Sequence, residues 1–239
     1  MKSIFHQANT RGHANHGWLD AHHTFSFANY QDRTRMHFGV LRVLNDDAID
    51  AHKGFGMHPH DNMEIITIPL EGQILHKDDM GNSEVIKQGD IQVMSAGTGI
   101  VHSEFNNGDV TLKLLQIWLF PNERNVTPRY QQITLDVKDR VNQFQQILSP
   151  NETDAGVWIY QDAWFMLGNF TKDKTPHYKI NKMGNGVYAF IIKGSATINN
   201  QTLHTRDGFG MWELDECSIQ ILEDHTEILL MEVPMELPN

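Results

Sequence analysis

Apolar residues along this chain fall in short runs broken by glycine, asparagine and aspartate. Strands are predicted at residues 38–44, 64–70, 73–78, 90–95, 112–119, 163–170, 186–193, 196–199, 218–221 and 227–233. The run Ile65-Ile66-Thr67-Ile68-Pro69-Leu70 does not alternate cleanly, as expected of a strand buried on both faces. Helical periodicity is scarce. Val137, Val141, Phe144 and Leu148 recur at helical spacing, but the same stretch also reads as a turn followed by a strand at 144–148. Many short strands with turn residues between them predict an all-β barrel or jelly roll.

The pattern repeats weakly. Tyr188-Ala189-Phe190-Ile191-Ile192-Lys193-Gly194 echoes Ile66 through Gly72, and Asp207-Gly208-Phe209-Gly210-Met211-Trp212 echoes Gly89 through Met94. Two barrels are therefore expected, in domains at 1–130 and 131–239. The linker falls between Pro121 and Ser149, where polar residues and Pro128 interrupt the strands.

Composition narrows the class. The chain has 239 residues, 40% hydrophobic and 21% charged, which is ordinary for a globular protein. It has no apolar run of membrane-spanning length and no signal-peptide core near Met1. One cysteine, Cys217, excludes an internal disulfide framework and fits a reducing, cytoplasmic setting. A formal net charge of −11 would repel phosphate backbones, so nucleic acid is not an expected partner. Fourteen histidines is a high count, and most lie in the first half.

Two motifs in that half carry ligand chemistry: His58-Pro59-His60 and His102-Ser103-Glu104. Each sets two ligand-type side chains at i and i+2, on one face of a strand. Two such strands facing each other would converge three imidazoles and one carboxylate. That set leaves room on an octahedral ion, so it reads as catalytic rather than structural. Pro59 biases His58 toward an extended backbone. Glu64 competes with Glu104 for the carboxylate place, because strand parity would put it on the face of His58 and His60. It could instead accept a hydrogen bond from a ligand imidazole.

These residues resemble the two cupin motifs. His58-x-His60-x-x-x-Glu64 followed by Gly72 is similar to the first, and Gly89, Gly97, His102 and Asn106 to the second. Ser95 stands where the second motif usually has proline, and the gap from Gly97 to His102 is longer than usual. The loop Ala96 through Glu104 is similar to the pirin branch. So are Arg11 through Leu19, Thr24 through Tyr30, Gln116-Ile117-Trp118-Leu119 and Thr127-Pro128-Arg129-Tyr130, which resemble bacterial pirin-like quercetin 2,3-dioxygenases. The resemblance implies a bicupin with few short helices. It implies one divalent metal, in the N-terminal half only, on His58, His60, His102 and Glu104. Aligning Gly72 with Gly194 puts Ile180 and Lys182 opposite His58 and His60, so the second barrel lacks a site.

The implied activity is cleavage of the central ring of a flavonol by O2, with release of carbon monoxide. Such openness at the metal suits Fe(II), with Zn, Mn, Ni, Co or Cu also possible. Glu104 or Glu64 would take the flavonol hydroxyl proton. Phe55, Met57, Met63, Met94, Phe105 and Trp118 are expected to wall an aromatic pocket, with His16, His22 and His23 at its mouth. The rival readings are a metal-dependent regulatory protein that binds a protein partner, and another cupin metalloenzyme. A deep apolar pocket over the metal favours an enzyme; a flat charged patch favours a binder.

Overall fold

The computed structural model describes residues 1–238. Nearly every element is a strand, and the strands form two barrels, each made of a seven-stranded and a four-stranded sheet. In the N-terminal barrel the large sheet runs Arg129–Thr134, Asp90–Ser95, Glu64–Glu71, Leu112–Leu119, Leu41–Ile49, Leu19–His23 and Gly12–Asn15. Its small sheet runs Gly54–His60, Ile100–Phe105, Gln73–Asp78 and Ser83–Lys87. The C-terminal barrel has a large sheet of Lys2–His6, Gly208–Trp212, Asn185–Lys193, Thr226–Pro234, Trp164–Phe170, Phe144–Ser149 and Val157–Trp158. Its small sheet is His177–Lys179, Glu216–Ile221, Ser195–Ile198 and Gln201–His204.

The stretch after residue 136 is the turn and strand rather than the long helix. A single 3-10 turn covers Val137–Arg140, capped where the Asp136 side chain accepts from the Lys138 N–H. The strand Phe144–Ser149 follows. The strand expected at 38–44 instead spans Leu41–Ile49, continuing through Asn45, Asp46 and Asp47. Residue 130 lies inside the strand Arg129–Thr134, which pairs with Asp90–Ser95 in the N-terminal barrel. Conversely, Lys2–His6 leaves the first barrel and pairs antiparallel with Gly208–Trp212 in the second.

The two large sheets pack back to back. Leu44, Ile66, Ile68, Leu115 and Ile117 from one meet Phe165, Tyr188, Phe190, Leu229 and Met231 from the other in one apolar core. Since side chains alternate along a strand, the neighbours of these residues must face into their own barrels. Inside the C-terminal barrel they are Val187, Ala189, Ile191, Ile228 and Leu230, in a continuous apolar cluster. Inside the N-terminal barrel the corresponding positions include Asn45, Asp47, Thr67, Gln92 and Gln116. They split the apolar interior into one group around Ile49, Ile74 and Leu114 and another around Ile65, Met94 and Ile100. The site lies in that polar gap.

His6 anchors the crossing strand. It is buried against Phe25 and Tyr188, with its Nδ1 2.8 Å from the Tyr188 hydroxyl. Burial, reinforced by the charge of Arg35, lowers its pKa from 6.5 to about 4. The unfolded chain therefore binds more protons than the folded one between those values, and stability falls as pH drops through that window. A His6→Gln variant is expected to lose less stability than the parent on going from about pH 7 to about pH 4. The difference in urea unfolding should be about 1–3 kcal/mol. Identical pH profiles would remove His6 as a source of acid sensitivity.

Candidate metal centre

The strands Gly54–His60 and Ile100–Phe105 lie antiparallel, with His58 directly opposite His102 and His60 opposite Ile100. Pro59 is tolerated because Gly54–His60 is the edge of its sheet. Gly54 has no Cβ because one would strike the Glu104 carbonyl, so the two ligand strands can approach closely. The register shifts between His102 and Glu104, which brings Glu104 opposite Phe55. On the other side the register is regular, with His102 opposite Asp78 and Glu104 opposite His76.

His58, His60 and His102 converge. One nitrogen from each lies within 4.8 Å of the others, and their ring centroids are 4.4–5.0 Å apart. Glu104 joins the second cluster, with His76 and His102, and its side chain is fully buried beside the first. Burial raises the Glu104 pKa, against the opposing pull of the Gln116 amide. That amide donates to both carboxylate oxygens, at 3.1 and 2.9 Å, while Thr67 Oγ1 donates to Gln116 Oε1 at 3.0 Å.

Hydrogen bonds fix which nitrogen is free on two of the three rings, His58 and His102. The Gly56 carbonyl can only accept, so the His58 Nδ1 at 2.8 Å carries the proton and its Nε2 holds a lone pair. For His102 the logic runs through two more residues. Burial works against the Asp78 charge, but hydrogen bonds from Asn82 and His76 outweigh it and hold the carboxyl below its usual range. Ionised Asp78 accepts from His76 Nε2 at 3.0 Å. The His76 Nδ1 is then an acceptor, 3.4 Å from His102 Nδ1, so the His102 proton sits there. His102 Nε2 is left buried with a lone pair and without any partner among the described residues. A buried, orphaned imidazole nitrogen facing two others is what a bound cation would satisfy. Burial lowers the pKa of His60 to about 4 and that of His102 to about 3, so both rings are neutral and ready to ligate.

Glu64 is elsewhere. The strand of His58 and His60 ends before Asn62, whose φ of 46° turns the chain, so parity does not carry across. Glu64 is buried and accepts from Ser95 Oγ at 2.7 Å. Burial raises its pKa to about 7, against the pull of Ser95 and Arg129. Arg129 in turn stacks on Trp158, 3.8 Å from the ring centroid, and donates to its carbonyl at 2.6 Å. Glu64 thus belongs to a network that ties the barrel to the segment entering the second one.

A cavity of about 450 Å³ opens over the three histidines. Trp18, Phe27, Phe55 and Trp118 form its apolar walls, and Asn45, Asp47, Glu104 and Gln116 its polar ones. Trp118 stands edge-on to His60, with centroids 4.8 Å apart. Asp47 Oδ1 and Trp118 Nε1 have no hydrogen-bond partner among the described residues. Burial, with repulsion from Asp46 and Glu104, pushes the Asp47 carboxyl up to about 8. A second cavity of about 410 Å³ adjoins the first and shares Phe27, Asn45, Asp47 and Phe55 with it.

Only part of the expected pocket wall is in place. Phe55 and Trp118 line the cavity. Met57 and Phe105 are 58% and 40% exposed, because each is one residue out of phase with an inward ligand. Met63 and Met94 pack with Ile65 and Ile100 in the small cluster beside Trp118. His16 and His23 line the second cavity rather than the first, and His22 stacks on His13 at the surface. Asn45, Asp47 and His76 were not singled out from sequence, and Gln116 was named only within a family-like stretch, without a role in the site. A lone glutamine within the apolar run of residues 112–119 is the one signal that could have marked Gln116.

Two β-barrels with an imidazole-lined pocket in the first define a bicupin, and the chain belongs to the pirin family. Residues 4–119 match the pirin family model, and residues 146–233 match that of the quercetinase C-terminal cupin domain. A relative named quercetin 2,3-dioxygenase, from Escherichia coli, is 45% identical over 95% of this chain and 97% of its own length. The crystal structure of YhhW from Escherichia coli superposes with a TM-score of 0.93 at 43% identity, covering all of both chains. A structure of the bacterial pirin YhhW in complex with nickel(II) gives 0.91 at 43% identity, covering 98% of this chain and 99% of that one. These likenesses make the chain a quercetin 2,3-dioxygenase-like pirin with a metal-binding centre.

Three substitutions separate the roles of the buried groups. Glu104→Ala is expected to weaken divalent-metal binding, and His76→Ala to weaken it by about 10–100-fold through loss of the His102 orientation. Glu64→Ala should leave metal affinity within about twofold and instead lower thermal stability. Isothermal titration of the metal-free protein measures the first two effects. Loss of metal in Glu64→Ala with retention in Glu104→Ala would reverse the assignment.

Proposed function

We propose that this pirin is a metal-dependent dioxygenase that opens the central ring of flavonols such as quercetin, consuming O2 and releasing carbon monoxide. The observation that carries the reading is the aromatic-walled cavity directly over three converging imidazoles. Its size and its few polar groups suit a flat, oxygenated aromatic molecule. The names of the Escherichia coli relative and of the quercetinase C-terminal domain agree with it.

His58, His60, His102 and Glu104 would hold the ion. Fe(II) is the ion we propose, with Ni(II) the first alternative because a solved bacterial pirin binds it. When bound, the ion supplies Lewis acidity toward the flavonol 3-hydroxyl and 4-carbonyl oxygens and the electron transfer that O2 chemistry needs. Glu104 accepts the 3-hydroxyl proton, its basicity raised by burial. Glu64 is assigned no role, since it is engaged by Ser95 and does not line the cavity. Trp18, Phe27, Phe55 and Trp118 stack on the rings and exclude water. Trp118 Nε1 donates to, and Asp47 hydrogen-bonds with, substrate oxygens, satisfying atoms otherwise orphaned. The reading places the protein in the cytoplasm, in keeping with one buried, unpaired thiol at Cys217, and expects no nucleic-acid partner at a net charge of −11.

With Fe(II) and air the protein should bleach the flavonol absorption band, consume O2 and release carbon monoxide. A flavone without the 3-hydroxyl should not react, and His60→Ala should be inactive. No carbon monoxide from any flavonol, with the metal confirmed in a folded protein, would overturn the proposal.

A further inference from the structure

The histidines of the N-terminal hairpin take no part in the centre above, yet three ligand-type side chains meet there. The strands Gly12–Asn15 and Leu19–His23 pair antiparallel, with His13 directly opposite His22 and Asn15 opposite Asp20. Directly opposed residues share a face, with Cβ atoms about 5 Å apart. Asp20 precedes His22 by two residues and so lies on that face too. The His13 and His22 rings stack at 4.6 Å with an interplanar angle of 19°. Asp20 Oδ1 bonds to His13 Nε2, and one ligand atom from each of the three lies within 4.8 Å of the others.

We propose that His13, Asp20 and His22 form a second divalent-metal site, distinct from the three-histidine centre. Two imidazoles and one carboxylate select a borderline transition cation such as Zn(II), Ni(II) or Cu(II) over Mg(II) or Ca(II), which prefer all-oxygen sets. The strand ladder preorganises the ligands, so binding costs little backbone ordering. The proton between His13 and Asp20 is what the cation displaces. The guanidinium of Arg11, which precedes the hairpin, is engaged by Asp46 at 3.0 Å. The open side of the hairpin leaves water in the remaining positions, so affinity should be weaker than at the buried centre.

The site has a structural consequence. Gly12–Asn15 is the edge strand of its sheet, and an ion there would clip it to Leu19–His23. His13 also lines the second cavity, which shares Asp47 and Phe55 with the cavity over the three histidines. Occupancy would stiffen one wall of that chamber.

Titrating the untagged, metal-free protein with Zn(II), followed by calorimetry and elemental analysis, tests the proposal without reference to activity. Two equivalents should bind, one tighter than the other. His13→Ala/His22→Ala should retain the tight equivalent, lose the weak one, and lose any Zn(II)-dependent rise in Tm that the weak one produces. His58→Ala/His60→Ala should do the converse and keep the weak equivalent. Asp20→Asn should weaken it by about tenfold, as loss of one charged ligand. A single equivalent in the parent, or a second one that survives in His13→Ala/His22→Ala, would overturn the site. His13, Asp20 and His22 lie on the hairpin, away from the apolar core, and an unchanged metal-free Tm confirms that each variant, including His58→Ala/His60→Ala, remains folded.

Discussion

The back-to-back contact of the two large sheets is the constraint on which the rest of this molecule depends. One face of each strand is committed to the shared apolar core, where Ile66, Leu115 and Ile117 meet Tyr188, Phe190 and Leu229. That leaves the alternate positions no choice of direction: they enter a barrel interior. Both barrels obey the same geometry and differ only in what stands at those positions. The second fills most of them with valine, alanine, isoleucine and leucine, and its one buried carboxylate there, Glu232, is bound by Tyr178, Asn181 and Asn185. The first fills several with asparagine, aspartate, threonine and glutamine, and each buried polar group then needs a partner. Function is thus a matter of composition at inward positions of a shared framework.

The polar interior partners itself in a directed way. Thr67 holds Gln116, Gln116 holds Glu104, and Asp78 holds His76, which sets the proton on His102. Each link settles donor against acceptor, so His102 is left with its Nε2 lone pair free beside His58 and His60. Ionised Asp78, anchored by Asn82 and by backbone N–H groups of the turn, is the origin of that order. A buried charge is tolerable there because every acceptor site on it is used.

Much of this was legible in the sequence, and the misses have physical causes. Strands at 73–78, 90–95 and 112–119 were readable to the residue because turn residues bound them and their apolar runs are local signals. The pairing of His58 with His102 followed from two i, i+2 motifs, since same-face geometry is a property of any strand. Asn45 and Asp47 were hidden because Asn45-Asp46-Asp47 reads as a turn, while the barrel uses the same residues as a polar strand. Glu64 was misdirected by parity, which the left-handed residue Asn62 breaks. The strand Lys2–His6 carries no strong local pattern, and its partner lies at Gly208–Trp212. No window of sequence contains both halves of that pair.

That crossing strand makes the chain's two ends members of one sheet. Lys2–His6 pairs with Gly208–Trp212, which pairs with Asn185–Lys193, which pairs in turn with Thr226–Pro234. The linker is therefore not the sole bond between the barrels. Severing the backbone between them would still leave the first fragment laced into the second. During synthesis the order is reversed: the opening segment emerges first and must wait, unpaired, until nearly the whole chain has followed. The second barrel cannot complete its edge without it. The two halves resemble a duplicated unit by architecture, yet in assembly they form one topological object.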